Sequence, residues 1–212
     1  AHRTLISASP ELFLELNADR RVTTRPIKGT RPAQTPTEQL RDSLKDQAEL
    51  NMIVDLLRND LGRVARFGSV RVAQPRTIES HPTVHHAVAT VQAQLRPGLG
   101  LVDLIRATFP GGSITGAPKI RAMQIIDELE PVRRGPYCGA VGLIDGPSAW
   151  LNITIRTALV EQDPAGRGRL DFSVGGGIVA DSDPAAEQQE CLDKAAALLD
   201  VLNRSDRSGQ AV

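Results

Sequence analysis

The sequence has 212 residues, with 25 lysines and arginines against 25 aspartates and glutamates, so its formal net charge is zero. Without excess positive charge, nothing attracts the chain to nucleic acid or to an anionic membrane. No apolar run approaches the roughly 20 residues that span a bilayer. Two cysteines, Cys138 and Cys191, are too few for a disulfide framework. We therefore expect a globular protein of the reducing cytoplasm that binds neither nucleic acid nor membrane.

Apolar runs and turn residues predict a mixture of strands and helices. The strands are expected over residues 4–8, 11–16, 21–25, 69–73, 83–95, 137–145, 150–160 and 170–174. The helices are expected to begin at Pro36, after Ser43, near Val102, at Pro118 and after Asp183. Because these elements come in mixed blocks without strict alternation, the pattern indicates an α+β fold with mainly antiparallel sheets.

Several element ends can be predicted from local signals. Residues 26–30 are expected to leave the third strand as a loop. Thr35 and Glu38 have the spacing of a capping box, with Pro36 at the first helical position. The helix that follows Ser43 is apolar on most of its circumference and is expected to lie inside the molecule. Gly62 is expected to end that helix in the left-handed conformation.

Two pairs of carboxylates have the spacing that places both members on one helix face. Asp46 and Glu49 are three residues apart, and so are Glu187 and Glu190. Like charges at this spacing repel each other, and a hard cation would reverse the repulsion. Oxygen ligands without a Cys or His pattern favour magnesium over zinc. The alternative is a solvated acidic face, although Glu49 lies in a helix that is otherwise too apolar to face water.

A glycine-rich stretch, residues 111–116, precedes the helix that begins at Pro118. Glycines before a helix N-terminus expose backbone N–H groups to an anion. Ala117-Pro118-Lys119 replaces the Gly-Lys-Ser/Thr of a P-loop, so a nucleoside triphosphate is not expected. Carboxylate binding and a structural turn are both consistent with this pattern. Residues 175–177 allow a similar close approach of the backbone, or a β-bulge.

Four further side chains are candidates, each with a structural alternative. Lys28 follows a strand end and is either a site residue or a solvated loop lysine. His85 and His86 are neighbours in a strand, so they point to opposite faces and at most one shares a site with other inward residues. Arg156 lies within the strand expected over residues 150–160, where its guanidinium suits either a carboxylate ligand or an exposed face.

Taken together, these features resemble the chorismate-utilising enzymes over residues 9–202. The stretches that carry the resemblance are TRPIKGT (24–30), MIVDLLRNDLG (52–62), FPGGSITGAPK (109–119), ITIRT (153–157) and GGGIVADS (175–182). The resemblance implies the family's α/β/β/α sandwich of mainly antiparallel sheets. Relatives also have an N-terminal half, so the chain is expected to be incomplete at its N-terminus. Residues 1–203 are then the C-terminal portion of a catalytic domain, and residues 204–212 are a flexible tail.

The resemblance also implies roles for individual residues. Glu49 and Glu190 would be the principal ligands of Mg²⁺, with Asp46 and Glu187 near the ion or its waters, and the ion would bind the ring carboxylate of chorismate. His86 would lie beside the ring. The rest of the chorismate pocket would consist of Thr30, Thr115, Gly116, Arg156, Gly175, Gly177 and Lys194. Arg156 would hold the enolpyruvyl carboxylate, and Lys194 would join Lys28 and His86 in the catalytic group.

Lys28 distinguishes the branches of the family, because similar anthranilate synthases usually carry Ala at this position. Its presence implies aminodeoxychorismate synthase component I of folate biosynthesis, which makes 4-amino-4-deoxychorismate, the precursor of p-aminobenzoate. The lysine would add covalently to the ring before ammonia replaces it, and a glutamine amidotransferase would supply the ammonia.

Two departures from the family pattern bear on this assignment. Asp46 stands where relatives more often have Glu, so its reach to the ion is shorter. Asn51 occupies the neighbourhood of a His in some anthranilate synthases, which favours the folate branch. The alternatives are anthranilate synthase component I, isochorismate synthase, and a chorismate-binding fragment without catalytic activity.

Overall fold

The computed structural model describes residues 2–165 and 167–208, with only the backbone for residues 205–208. The strands of this part are β1 (His2–Ser7), β2 (Leu12–Leu16), β3 (Arg21–Arg25), β4 (Ile27–Pro32), β5 (Arg71–Ser80), β6 (Val84–Gln94), β7 (Ala140–Asp145), β8 (Ser148–Ile153), β9 (Thr157–Gln162) and β10 (Gly168–Phe172). The helices are α1 (Thr37–Arg41), α2 (Leu44–Gly62), α3 (Leu101–Thr108), α4 (Lys119–Leu129) and α5 (Pro184–Ser208), and a 3₁₀ turn spans Gly112–Ile114.

Residues 11–153 form the larger of two compact units. Its strands make one antiparallel sheet in the order β4-β6-β3-β2-β8-β7, and β5 also pairs with β6. Residues 85–91 of β6 are all buried. Their valines, alanines and threonines suit a pleated strand that is covered on both faces. β6 is therefore the strand around which the sheet of this unit is built.

Helix α2 packs against β4 and β6 through one apolar face. Its buried residues include Leu50, Ile53, Leu57 and Leu61, at the three- and four-residue spacing of a helix face. Burying each of these side chains stabilises the fold by about 1.5–3 kcal/mol. Met52 is exposed, so the prediction that the helix is enclosed on most of its circumference is wrong for the described chain.

The predicted start of α2 is confirmed, because Ser43 is its N-cap and its hydroxyl accepts the backbone N–H of Asp46 at 3.3 Å. Two other predictions about helix ends are wrong. Gly62 is the last residue of α2, and the cap residue Arg63 has a right-handed φ of −67°, because its N–H bonds to the carbonyls of Asp60 and Leu61 and tightens the last turn. Pro36 is the N-cap of α1 rather than its first helical residue.

The smaller unit combines residues 2–10 with residues 154–208. It contains an antiparallel sheet in the order β1-β9-β10, together with α5. The register of β1 and β9 brings Ser7 opposite Thr157, and their hydroxyl oxygens are 2.8 Å apart. The backbone of α5 continues to Ser208, so the first part of the tail expected over residues 204–212 is helical. Residues 209–212 of that tail lie outside the described residues.

The prediction of one strand over residues 150–160 is wrong. β8 ends at Ile153 and β9 begins at Thr157. Arg156 lies between them with a φ of +50°, which is outside the β region of a regular strand. The break also separates the two sheets, since β8 belongs to the larger unit and β9 to the smaller one.

The expected fold class, α+β with mainly antiparallel sheets, is confirmed by these strand pairings. Among the described residues, none of the helices has the length and apolar character needed to cross a membrane.

Candidate active site

Lys28 lies in β4, so the prediction of a loop over residues 26–30 is wrong. Ile27 pairs with Val88 and Thr30 pairs with His86, which leaves one extra residue on β4 between the two pairs. A β-bulge of this kind redirects a side chain and is common beside active sites. The half-buried Lys28 is thus held at an irregularity of a strand rather than on a mobile loop.

Side chains of α1 and of the first turn of α2 pack against the bulge. Gly29 has a φ of +89°, and a Cβ at this position would lie 2.7 Å from Leu40 Cδ1 and 2.9 Å from Asp46 Cγ. Carbon atoms do not approach so closely, so only glycine fits here. Arg31 Nη2 donates to Asp46 Oδ2 at 2.7 Å, and Arg31 Nη1 donates to the carbonyl of Thr30 at 2.9 Å. These contacts position the strand that carries Lys28.

Glu11 is a buried carboxylic acid beside Lys28, and only 6% of the residue is exposed. Burial raises the pKa of Glu11 to about 7, because the charged form loses its hydration. A hydrogen bond with the Ser113 side chain, the charge of Lys28 and a bond from the backbone of Ile27 lower the pKa and offset part of this rise. A carboxyl group with a pKa near neutrality can both accept and donate a proton at physiological pH.

Glu11 is not recognisable as a site residue from the sequence. The available signal was an acidic residue at the start of the apolar run over residues 11–16, where a charge is costly to bury. The sequence does not show which groups stabilise the charged form of Glu11. Lys28 and Ser113 approach it only when β4 and the 3₁₀ turn have formed.

His86 lies in β6, opposite Thr30 of the bulged strand β4. Its Nδ1 is 2.8 Å from Thr30 Oγ1, and its ring centroid is 5.5 Å from that of His81. His85 instead contacts Ser80 Oγ at 2.9 Å and the carbonyl of Ala33 at 3.1 Å. The two neighbouring histidines therefore have separate partners, as their alternation in a strand predicts.

The larger unit contains one of the two acidic pairs. The side chains of Asp46 and Glu49 are only 13% and 19% exposed, which argues against a solvated acidic face for this pair. Asp46 pairs with Arg31, whereas Glu49 Oε1 is 4.0 Å from Lys45 Nζ. The ion pair of Glu49 is longer than that of Asp46, so Glu49 is the better candidate for a metal ligand.

The smaller unit contains the other acidic pair. Ser182 Oγ donates to Glu187 Oε1 at 2.7 Å, and among the described residues Glu187 Oε2 is buried without a hydrogen-bond partner. A Cβ added to Gly176 would lie 2.6 Å from that oxygen. Lys194 Nζ is 2.6 Å from Glu190 Oε1 and donates to the carbonyl of Gly175 at 2.9 Å. Residues 175–177 are thus tied to the acidic face of α5.

These carboxylates fit the ligand chemistry of magnesium. Mg²⁺ is usually held by one or two protein carboxylates, with water or substrate oxygens completing its coordination. A buried carboxylate oxygen without a partner, such as Glu187 Oε2, is costly unless a cation or water satisfies it. Within either unit, the described residues contain no group of three or more His, Cys, Asp or Glu side chains that could hold a metal by themselves.

The glycine-rich loop, residues 111–116, is packed tightly against its surroundings. A Cβ at Gly111 would lie 2.7 Å from Ile153 Cδ1, and one at Gly112 would lie 2.7 Å from Leu56 Cδ2. Thr115 Oγ1 donates to the carbonyl of Gly111 at 3.0 Å, and Gly116 has a φ of +138°. Packing therefore explains the first two glycines, while Thr115 and Gly116 lie at the end that leads to α4.

Lys119 does not resemble the phosphate-binding lysine of a P-loop. Its Nζ pairs with the carboxylate of Asp60 and donates to the carbonyl of Thr108 at 2.9 Å. Both side chains are nearly buried, at 12% and 5% exposure. The pair joins α4 to α2, which is a structural role.

Arg156 is exposed and lies outside any strand, so the prediction that it belongs to an alternating strand is wrong. The carbonyl of Arg156 accepts the backbone N–H of Ala8 at 3.0 Å, which fixes its backbone in the smaller unit. The guanidinium remains a candidate for binding a carboxylate.

Comparison with known proteins places the fold in one enzyme family. Residues 1–200 match the family of chorismate binding enzymes. The chain is 52% identical over 206 residues to aminodeoxychorismate synthase component 1 of Klebsiella aerogenes, covering 93% of this chain and 44% of that protein. It is 48% identical over 210 residues to anthranilate synthase component 1 1 of Haloarcula marismortui, covering 95% and 42%.

A solved structure of anthranilate synthase component I from Streptococcus pneumoniae TIGR4 superimposes with a TM-score of 0.77 and 37% identity, over 91% of this chain and 43% of that one. The chain thus spans less than half the length of these relatives. Because the family match covers nearly the whole chain, this protein belongs to the chorismate binding enzyme family.

Proposed function

We propose that this chain carries catalytic residues of an aminodeoxychorismate synthase, which converts chorismate and ammonia to 4-amino-4-deoxychorismate and water. The observation that carries the proposal is that Lys28, on a strand bulge, lies close enough for its charge to act on the buried acid Glu11. A lysine is a nucleophile only after it loses its proton, and a neighbouring base can take that proton. Glu11, with a pKa near neutrality, is suited to this task.

The first half of the proposed reaction forms a covalent bond between enzyme and substrate. Lys28 passes a proton to Glu11, which makes the amine nucleophilic and the carboxyl group an acid in one step. The amine adds to the vinylic ring carbon beside the carboxylate-bearing carbon. The ring double bonds shift, and the ring hydroxyl leaves with the proton of Glu11 as water. The enzyme then carries the substrate as a secondary ammonium on Lys28, and Glu11 is ionised.

The second half reverses the movement of electrons. Ammonia adds to the ring carbon that carried the hydroxyl, the double bonds return, and the bond to Lys28 breaks, so that the lysine leaves as a neutral amine. The new ammonium group on the product gives a proton to Glu11, which restores the acid. Glu11 therefore donates one proton and recovers one in each cycle.

The carboxylates and polar groups that the family resemblance implies are proposed to bind the substrate. A bound Mg²⁺ would neutralise the ring carboxylate of chorismate, which reduces the repulsion that an added electron pair meets on the ring. Glu49 and Glu190 would be its principal ligands, with Asp46 and Glu187 near the ion or its waters. Arg156 would bind the enolpyruvyl carboxylate. Lys194 and His86 would belong to the catalytic group with Lys28. The remaining pocket would consist of Thr30, His86, Thr115, Gly116, Gly175, Gly177 and Lys194.

Ammonia is proposed to come from a glutamine amidotransferase partner, because the relatives are named as component 1 of their synthases. A second candidate function is the synthesis of anthranilate. It is favoured by relatives named anthranilate synthase component 1, which are 45–48% identical to this chain. Lys28 supports the first function, because the family resemblance implies Ala at this position in anthranilate synthases.

The products distinguish these functions directly. The purified chain is incubated with chorismate, ammonium and Mg²⁺, and the mixture is separated by liquid chromatography with mass detection. We expect 4-amino-4-deoxychorismate from the wild type and none from Lys28→Ala. Fluorescent anthranilate would support the second candidate, and isochorismate would contradict both. Calorimetric binding of chorismate without any product would identify a non-catalytic binding fragment.

A further inference from the structure

The side chain of Arg134 connects three segments of the larger unit. Arg134 lies in the link between α4 and β7, and its Nε and Nη2 donate to the two carboxylate oxygens of Glu130 at 2.9 and 2.7 Å. Its guanidinium carbon lies 5.9 Å from the centre of the Tyr137 ring. A bidentate carboxylate contact and an aromatic face fix the plane of a guanidinium, so the remaining N–H groups have a defined direction.

One of those N–H groups reaches the glycine-rich loop. Arg134 Nη1 donates to the carbonyl of Ile114 at 3.1 Å, across 20 positions of sequence. Within the loop, the backbone bonds from Ile114 N to Gly111 O and from Thr115 N to Gly112 O are both long, at 3.4 Å. A loop rich in glycine loses much conformational freedom when it is ordered. An external donor at Ile114 therefore has a direct influence on where the loop lies.

The loop in turn contacts the acid beside Lys28. Ser113 immediately precedes Ile114, and its side chain forms a hydrogen bond with the carboxyl group of Glu11. Lys28 is the charged group that acts on the same carboxyl, and Ile27 contributes a backbone bond. The position of Ile114 thus determines whether the Ser113 hydroxyl can reach Glu11.

We infer that Arg134 is a positioning residue, whose guanidinium holds the carbonyl of Ile114 and thereby keeps Ser113 against Glu11. Its importance for turnover rests on the function proposed above, but its effect on Glu11 does not. Without this contact, Glu11 loses a hydrogen bond that favours its ionised form, so its affinity for a proton rises. If Arg134 only stabilised the link between α4 and β7, its replacement would leave the titration of Glu11 unchanged.

The test measures the titration of Glu11 by ¹³C NMR in the full chain, without substrate. In Arg134→Met we expect the midpoint to move to higher pH, in the same direction as in Ser113→Ala. Arg134→Lys keeps one donor and is expected to recover part of the shift. Arg58→Met, which removes an exposed partner of Asp55 on α2, is the control and is expected to titrate like the wild type.

A folded Arg134→Met variant with the wild-type midpoint would overturn the inference. If that variant does not fold, Glu130→Gln decides, because it loosens the guanidinium while Arg134 remains; an unshifted midpoint there has the same meaning. Turnover of chorismate gives a second readout, in which kcat should fall about 10- to 100-fold with a smaller change in KM. Absence of turnover in the wild type would refute the proposed function, while the NMR midpoints would still decide the role of Arg134.

Discussion

The carboxyl group of Glu11 experiences the positive charge of Lys28, although Glu11 precedes β2 and Lys28 lies in β4. Lys28 lies at a bulge of β4, where the register with β6 shifts between Ile27 and Thr30. Burial raises the pKa of Glu11, and the nearby amine of Lys28 lowers it. Burial has the larger effect. The result is an acid that gains and loses its proton close to neutral pH.

Replacing Glu11 with Gln should remove the proton carrier while keeping the size of the side chain. General acid–base catalysis contributes about 10²- to 10⁴-fold to a rate, so we expect kcat to fall by at least about 100-fold. The binding of chorismate should change little. The measurement is steady-state formation of 4-amino-4-deoxychorismate, and a variant that keeps more than about half of the wild-type kcat would show that Glu11 does not transfer the proton.

The stability of the protein should depend on pH through the same residue. The carboxyl group ionises near 4.5 in the unfolded chain and at about 7 in the folded one. Between these values the unfolded state has bound fewer protons, so the free energy of unfolding falls as pH rises and levels off above about 7. The full difference corresponds to about 3 kcal/mol.

Urea denaturation across this pH range measures the effect, with Glu11→Gln as the matched variant. The variant should lack this part of the pH dependence. Identical slopes in the two proteins would mean that Glu11 titrates normally in the folded state.

Two glycine substitutions should have opposite effects on stability. Gly29→Ala places a Cβ against Leu40 and Asp46 at a φ of +89°, and we expect it to destabilise the fold by about 1–3 kcal/mol or more. Gly62→Ala adds a Cβ in open space at the end of α2, where alanine is the better helix former, and should stabilise by up to about 1 kcal/mol. Thermal unfolding compares the two variants, and equal melting temperatures would contradict the packing described for Gly29.

Magnesium binding should depend more on Glu49 and Glu190 than on Asp46. We expect Glu49→Gln and Glu190→Gln to weaken the binding of Mg²⁺ about 10-fold or more, since each removes a charged oxygen ligand. Asp46→Asn should have a smaller effect on the metal and a larger one on stability, because it breaks the contact with Arg31.

Calorimetric titration with Mg²⁺ in the presence of chorismate measures these affinities. Asp55→Asn, an exposed change on the same helix, is the control. Wild-type affinity in Glu49→Gln would exclude Glu49 as a ligand.

Local signals predicted the start of α2 but not how α1 begins or how α2 ends, and the sequence also failed where long-range pairing decides. Ser43 and Asp46 correctly mark the start of α2, because the cap is formed by residues three positions apart. Ile27–Pro32 form a strand, where a loop was expected from Pro26 onward, because they pair with β6. No local sequence pattern indicates that pairing. The break between β8 and β9 depends on a positive φ at Arg156, a residue type that rarely adopts it.

The candidate site was predictable to a similar extent. Lys28, within the stretch TRPIKGT, could be named as a candidate from the sequence, and its role stays a prediction. Glu11 could not, because its significance depends on burial and on the approach of Ser113 and Lys28, which the chain brings together only on folding. Arg134 could not be named for the same reason, since its contact with Ile114 joins the link after α4 to the 3₁₀ turn, 20 positions earlier.

The central claim is that Lys28 bonds covalently to the ring of chorismate, and mass spectrometry of the intact chain tests it most directly. In the presence of chorismate and Mg²⁺ but without ammonia, we predict an added mass equal to chorismate less one water, located by digestion on the peptide that contains Lys28. Ammonia should discharge this adduct as 4-amino-4-deoxychorismate, and Lys28→Arg should form none. An adduct on another residue, or product formation by Lys28→Arg at the wild-type rate, would contradict the account.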